Sequence, residues 1–200
     1  MFYILFAILF LPMLIICPTI VKGKKNIPKK GRFILCCNHQ SNTDVFRIMS
    51  RLKRRYKYLA KKELFNTKIK NWFFKTMGAY PIERGKPDLQ AIKKTINYLK
   101  DEKAVCIFPE GTRVTNDEKS QLKGGVVMFA LKTDSPIVPC CILKKPRPFR
   151  WNKMIVGEPF KLSDIEEFKG KSTDKETIQK ATELLSQKME ELKINTKEKK

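Results

Sequence analysis

Histidine is almost missing from this chain: His39 is the only one among 200 residues. So little imidazole excludes a zinc site of mixed cysteine and histidine, and the six cysteines have no C-x-x-C spacing to form one alone. They stand at positions 17, 36, 37, 106, 140 and 141, all within apolar runs. They therefore read as reduced thiols acting as small core residues of a domain that faces the cytosol. Acidic residues are also scarce. Twenty Asp and Glu stand against 42 Lys and Arg, a net charge of +22 that calls for an anionic partner. No internal repeat is visible.

Charge of either sign is absent from residues 1–21, and Lys22, Lys24 and Lys25 follow almost at once. A signal peptide carries its positive charges before the apolar stretch, whereas here they come after it. The run is close to the roughly 20 residues that span a bilayer, so 1–21 is expected to be a hydrophobic membrane anchor. Pro12 and Pro18 leave open whether it spans or only embeds as a kinked, re-entrant segment. The lysines behind it suit the cytoplasmic side of an anionic membrane surface, which would put the catalytic domain in the cytoplasm.

Beyond the anchor, apolar residues fall in periodic segments. Arg32–Cys37 reads as a buried strand, and Ser41 or Asn42 can cap a helix carrying Val45, Ile48, Met49 and Leu52. Tyr56–Ala60, Ala79–Ile82, Ala104–Phe108, Ile137–Leu143 (broken by Pro139) and Lys153–Val156 read as further strands. Asp88 opens an amphipathic helix with Leu89, Ile92, Ile96 and Leu99 on one face, and Gly124-Gly125 begins another through Lys132. Ile178, Ala181, Leu185, Met189 and Leu192 form a last helical stripe in charged surroundings. Strands alternating with helices predict an α/β fold: a single domain with a mixed, mostly parallel sheet flanked by helices, plus the N-terminal membrane-associated helical segment. The expected organisation is anchor 1–21, domain 22–165, and a charged C-terminal helix with a basic tail over 166–200.

Chemistry-bearing residues gather where apolar strands end, the usual place for a site in α/β folds. His39 follows the first strand, and Asp44 falls in the first turn of the next helix. A tight turn lets the carboxylate hold one ring nitrogen and leaves the other for substrate; the carboxylate then fixes the tautomer and stabilises imidazolium as it forms. No serine is needed if the substrate supplies the hydroxyl. Phe108-Pro109-Glu110-Gly111-Thr112-Arg113 ends another strand, its arginine suited to bidentate phosphate recognition. Gly78 through Arg84 also ends in arginine, and Lys61-Lys62 follows the Tyr56–Ala60 strand.

Taken together, Asn38-His39 with Asp44, Gly78 through Arg84, Phe108 through Arg113, and Ile137-Val138-Pro139 stand in the order of four sequence blocks. From about residue 18 to 160 the chain resembles the PlsC-type glycerolipid acyltransferases, the 1-acyl-sn-glycerol-3-phosphate (lysophosphatidic acid) acyltransferases. Ala60 through Leu64 and Lys123-Gly124-Gly125 are similar to family sequence as well. The resemblance implies that His39 takes a proton from a glycerol hydroxyl, which attacks an acyl thioester directly, and that Asp44 orients His39. It implies that Arg84, Arg113 and one of the Lys61/Lys62 pair, with Lys61 the better match, hold the acceptor phosphate. Glu110, with Gly111 and Thr112 in the same block, would position the acceptor or brace the arginines, and Ile137-Val138-Pro139 would shape the acyl side. The co-substrate would be acyl-CoA or acyl-ACP, the latter bringing acyl carrier protein as a partner, with no metal and no other cofactor. Two positions depart from the pattern: Glu83 precedes Arg84 where Asp or a small polar residue is usual, and Val114 follows Arg113 where serine is common.

Within the acyltransferase reading another lysolipid remains an alternative acceptor, although Arg84 and Arg113 favour a phosphate-bearing one. Three rivals are weaker. A non-catalytic lipid-binding relative is opposed by the complete set of His39, Asp44, Glu110 and Arg113. A nucleic-acid-binding protein would suit +22, but most aromatics lie in the anchor or in apolar segments rather than on a basic face. A covalent mechanism through Cys36 or Cys37 rests on proximity to His39 alone.

Overall fold

The computed structural model describes residues 12, 15–16, 18–83, 85, 88–111, 122–145 and 147–197. Its centre is β2 (Phe33–Cys37), buried at every residue, as expected of a strand covered on both faces. Side-chain alternation splits the strand between two cores. Phe33, Leu35 and Cys37 join one, and Ile34 and Cys36 join the other. Helix α1 (Asp44–Arg51) brings Ile48 and Met49 to the first core. β3 (Tyr56–Lys61) follows and leads through α2 (Lys68–Thr76) to β4 (Ala79–Ile82).

Helix α3 (Leu89–Lys100), β5 (Ala104–Ile107), α4 (Gly125–Thr133) and β6 (Ile137–Ile142) come next. β7 (Asn152–Val156) and the long α5 (Lys175–Lys197) complete the chain. With β1 (Thr19–Lys22), the strands form one seven-stranded sheet in the order β1-β7-β6-β2-β5-β3-β4. Strands β6, β2, β5, β3 and β4 are mutually parallel, β7 runs antiparallel to β6, and β1 is parallel to β7. The expected α/β class with a mixed, mostly parallel sheet is therefore what forms. The five parallel strands end at one edge, where the loops after β2, β5 and β3 stand side by side.

Several local expectations are corrected. Of the segment 1–21 expected as a membrane anchor, Thr19–Val21 belong to β1, paired with Asn152, Lys153 and Met154. Most of its other residues lie outside the described ones. Among the described residues no helix is long and apolar enough to cross a membrane. Because β1 runs against β2, Lys24 and Lys25 sit at the sheet edge opposite His39.

Pro139 does not break its strand. It occupies the last rung against β7, where its carbonyl accepts from Gly157 N (2.8 Å) and its missing N–H leaves no inner rung unmade. The C-terminal helix expected within 166–200 packs on the sheet. Helix α5 buries Ala181, Leu185 and Met189 against Ile34 and Cys36, within the same core. In α3 the buried line is Ala91, Thr95 and Leu99, and Leu89 is 68% exposed. Thr95 can be buried because its hydroxyl is engaged by Tyr80 OH (2.7 Å) and the Ala91 carbonyl (2.8 Å).

Candidate functional site

The site begins with the exit of β2. Asn38, buried, extends the ladder past the last strand residue: its side-chain amide donates to Ile142 O (2.9 Å) and its Oδ1 accepts from Ile142 N (2.7 Å). The next residue, His39, is thereby held over the parallel-strand edge. Its Nδ1 lies 3.0 Å from Asp44 Oδ2. The same carboxylate oxygen accepts from the backbone N–H of Gln40 and of Ser41, each at 2.7 Å. Those two N–H groups fix the acceptor, and the acceptor fixes the ring. The expected cap at Ser41 or Asn42 is replaced by Thr43, which makes no side-chain cap; Asp44 starts α1, and its carboxylate reaches back into the loop instead.

Asp44 is fully buried, and the His39 side chain is 12% exposed. An ionised carboxylate on Nδ1 assigns the neutral ring's proton to that nitrogen and leaves Nε2 as the basic lone pair. Phe108, at the exit of β5, stacks on the imidazole with ring centroids 4.2 Å apart and planes 24° from parallel. Glu110, two residues on, accepts the backbone N–H of His39 through Oε2 at 2.9 Å. The loops after β2 and β5 are thus tied at three points: a ring stack, a backbone-to-carboxylate bond and the shared strand ladder.

Gly111 takes a left-handed φ of 69°, closing a turn in which its N–H donates to Phe108 O at 3.1 Å. A side-chain carbon added there would lie 2.9 Å from Lys123 Nζ, so the lysine lies across the glycine. Lys123 N in turn donates to Pro109 O at 2.9 Å. This places a cation over Gly111, the residue after Glu110. The sequence assigns Lys123 no role beyond its similarity to family sequence; the Lys-Gly-Gly segment before α4 is the available signal.

Of the predicted site residues, the structure brings His39, Asp44, Glu110 and Gly111 together. Lys61 stands at the end of β3, on the same edge but two strands from β2, roughly 10 Å away by strand spacing. It is half exposed and pairs with Glu63 at 3.1 Å, while Lys62 pairs with Glu83. Glu83, the departure before Arg84, therefore engages Lys62, while Lys61 engages Glu63. Arg84, Thr112 and Arg113 lie outside the described residues.

The thiols near the histidine face the wrong environment for nucleophiles. Burial pushes the Cys36 thiol well above its ordinary range, and its Sγ contacts Met189 Sδ at 3.5 Å in the core. Cys37 is pushed up too, first by its hydrogen bond with Cys140 and then by burial. Neither offers a thiolate. Among the described residues no group of three or more His, Cys, Asp or Glu side chains could hold a metal ion.

Comparison with known proteins adds to this geometry. The family model described as Acyltransferase matches residues 19–143. The chain is 34% identical over 182 residues to the 1-acyl-sn-glycerol-3-phosphate acyltransferase of Bacillus subtilis (strain 168), covering 86% of each chain. It is 33% identical over 140 residues to the enzyme of that name from Streptococcus pneumoniae, covering 66% of this chain and 52% of the relative. A crystal structure of the 1-acyl-sn-glycerophosphate (LPA) acyltransferase PlsC from Thermotoga maritima superposes with a TM-score of 0.67 at 28% identity. The match covers 88% of this chain and 72% of that one.

Proposed function

The chain belongs to the acyltransferase family, and on that footing we propose that it acylates the free sn-2 hydroxyl of 1-acyl-sn-glycerol 3-phosphate. The acyl chain comes from a thioester, acyl-CoA or acyl-ACP, and the product is phosphatidic acid for phospholipid biosynthesis. The observation that carries the reading is the His39 Nδ1–Asp44 Oδ2 contact at 3.0 Å, with the carboxylate oxygen held by two backbone N–H groups. The names of the Bacillus subtilis and Streptococcus pneumoniae relatives support the acceptor.

In this reading Nε2 of His39 accepts the hydroxyl proton as the oxygen attacks the thioester carbonyl. Asp44 stabilises the imidazolium that forms. The tetrahedral intermediate collapses, the C–S bond breaks, and the departing thiolate takes the proton from Nε2. An ester and a free thiol result, and His39 is neutral again. Thioester cleavage needs no activated enzyme nucleophile, metal or further cofactor, so the donor serves only as co-substrate. Lys61 and Lys123, together with Arg84 and Arg113, supply positive charge for the acceptor phosphate. Glu110 holds the His39 backbone in place for the transfer.

The test is acyl transfer from a radiolabelled thioester to lysophosphatidic acid, with wild type beside His39→Ala and both donor classes tried. General-base catalysis contributes about 10²–10⁴-fold, so the variant should fall by that much. Product from wild type alone supports acceptor, reaction and base together. Equal rates for the two proteins would remove His39 from the mechanism.

A further inference from the structure

The stretch joining β6 to β7, residues 143–151 (LKKPRPFRW), carries four cations, two aromatics and no acid. Phe149 is 72% exposed and Trp151 68%, and Lys144, Lys145, Arg147 and Arg150 are exposed around them. The connection is nevertheless anchored at its base. Asn152, buried, donates from its side-chain amide to Lys144 O (2.7 Å) and accepts from Lys144 N (3.3 Å). Phe149 takes a positive φ of 56°, uncommon for a bulky residue, while its N–H donates to Ile16 O at 2.7 Å. A cavity of about 280 Å³ is lined by Lys144, Lys145, Arg147, Arg150, Trp151 and Asn152.

Two placements give this hairpin a direction. It grows from the end of β6, directly after the Ile142 that Asn38 clamps, so it projects from the sheet edge that carries His39. It also meets the described residues near the end of the uncharged segment: Ile16 O accepts from Phe149 N, Pro18 O accepts from Asn152 N, and Ile15 is 68% exposed. Exposed aromatics beside clustered cations and an apolar segment have the chemistry of a membrane interface. The rings lie at headgroup depth, and the cations meet lipid phosphates. A soluble protein partner would explain the cations but not two outward rings tied to an uncharged run.

We propose that the β6–β7 hairpin docks the protein on an anionic phospholipid bilayer. Phe149 and Trp151 enter the interface, and Lys144, Lys145, Arg147 and Arg150 contact lipid phosphates. Docking there turns the edge bearing His39 toward the surface from which a lipid acceptor would be drawn. The inference stands on the hairpin itself and does not require the proposed reaction to be correct.

Trp72 and Trp151 are the only tryptophans, so Trp72→Phe in the full chain leaves Trp151 as sole reporter. The protein is reconstituted into phosphatidylcholine vesicles with and without phosphatidylglycerol, with acyl chains brominated or not. The expected result is a blue-shifted Trp151 emission with brominated-chain quenching in the anionic vesicles. Substituting Lys144→Glu, Lys145→Glu, Arg147→Glu and Arg150→Glu together should abolish most of that quenching. Emission that stays red-shifted and open to aqueous acrylamide in anionic vesicles would overturn the proposal. So would insertion indifferent to lipid charge, or a response confined to added acidic carrier protein. The readout needs no turnover, so a failed acyl-transfer assay and a failed docking assay remain distinguishable.

Discussion

The carboxylate of Glu110 accepts the backbone N–H of His39 at 2.9 Å, across 71 residues of sequence. Without that bond the loop after β2 loses its fixed relation to the loop after β5. Glu110→Ala leaves a half-buried N–H unsatisfied, which costs roughly 1–3 kcal/mol. If that cost falls on the reactive geometry, turnover should drop about 10- to 100-fold. Glu110→Gln keeps an oxygen acceptor and should retain most of the rate. Steady-state kcat for the two variants checks this; equal losses would mean that the negative charge matters and the bond does not.

Asp44 performs two tasks that substitution can separate. Asp44→Asn keeps an oxygen for the N–H groups of Gln40 and Ser41 but removes the charge that stabilises imidazolium. Turnover should fall about 10²–10⁴-fold with the fold intact. Asp44→Ala strips both N–H groups of their acceptor and should also lower the melting temperature. At roughly 1–3 kcal/mol per orphaned group and about 2–4 °C per kcal/mol, the drop should be easily measured by calorimetry.

How far sequence alone reached can be judged at particular residues. The His39–Asp44 pair was legible because both partners lie within five residues, where one strand end and one helix start fix the geometry. β2 was legible because a strand covered on both faces is a continuous apolar run. The Glu110 bond to His39 was not, since it depends on β5 lying beside β2, and Lys123 over Gly111 likewise joins residues well separated in sequence. β1 was hidden because an edge strand at the end of an uncharged run has no polar alternation to betray it. Spacing puts Leu89 on the buried face of α3 with Ile92, Ile96 and Leu99, but the buried line is Ala91, Thr95 and Leu99 with Ile92 and Ile96 partly buried beside it, and only Leu89 falls off the core.

A covalent route is separable from direct attack by removing the thiols. Cys36→Ser with Cys37→Ser should leave kcat within a few-fold of wild type, because both thiols are buried and pushed away from ionisation. The same variant should be less stable, since each new hydroxyl enters an apolar core and costs about 1–3 kcal/mol unless bonded. Activity lost in a variant that still melts cooperatively would reinstate a cysteine nucleophile.

Helix α5 starts on Asp174, whose carboxylate accepts from Thr177 N (2.9 Å), Thr177 Oγ1 (2.8 Å) and Ser172 Oγ (2.7 Å). The backbone bond from Thr177, with the two hydroxyls, holds this carboxyl well below the usual carboxylate range. A depressed native value stabilises the fold above the unfolded-state value, and the stabilisation fades as pH falls toward the native one. Asp174→Ala should therefore melt below wild type at neutral pH, and the gap should narrow on acidification beneath the ordinary carboxylate range. A gap independent of pH would assign the loss to packing.

Two glycines with positive φ should respond unequally to alanine. At Gly78, φ is 89°, and an added carbon would stand 2.4 Å from Tyr56 O, a strand carbonyl that cannot retreat without disturbing β3. Gly78→Ala should cost more than about 2 kcal/mol, the left-handed penalty for a residue with a side chain adding to the clash. At Gly111 the obstacle is the far end of the flexible Lys123 chain, 2.9 Å away at Nζ, which can swing aside. Gly111→Ala should therefore cost only about 1–2 kcal/mol of stability, the backbone term alone. Its larger effect should be on the acceptor, because the lysine is displaced from its place over Gly111. A raised KM for lysophosphatidic acid in Gly111→Ala, matched by Lys123→Met at unchanged stability, would identify the displaced cation as the cause. An unchanged KM in both variants would remove Lys123 from the acceptor site and leave the phosphate to the cations on β3 and the loops beyond β4 and β5.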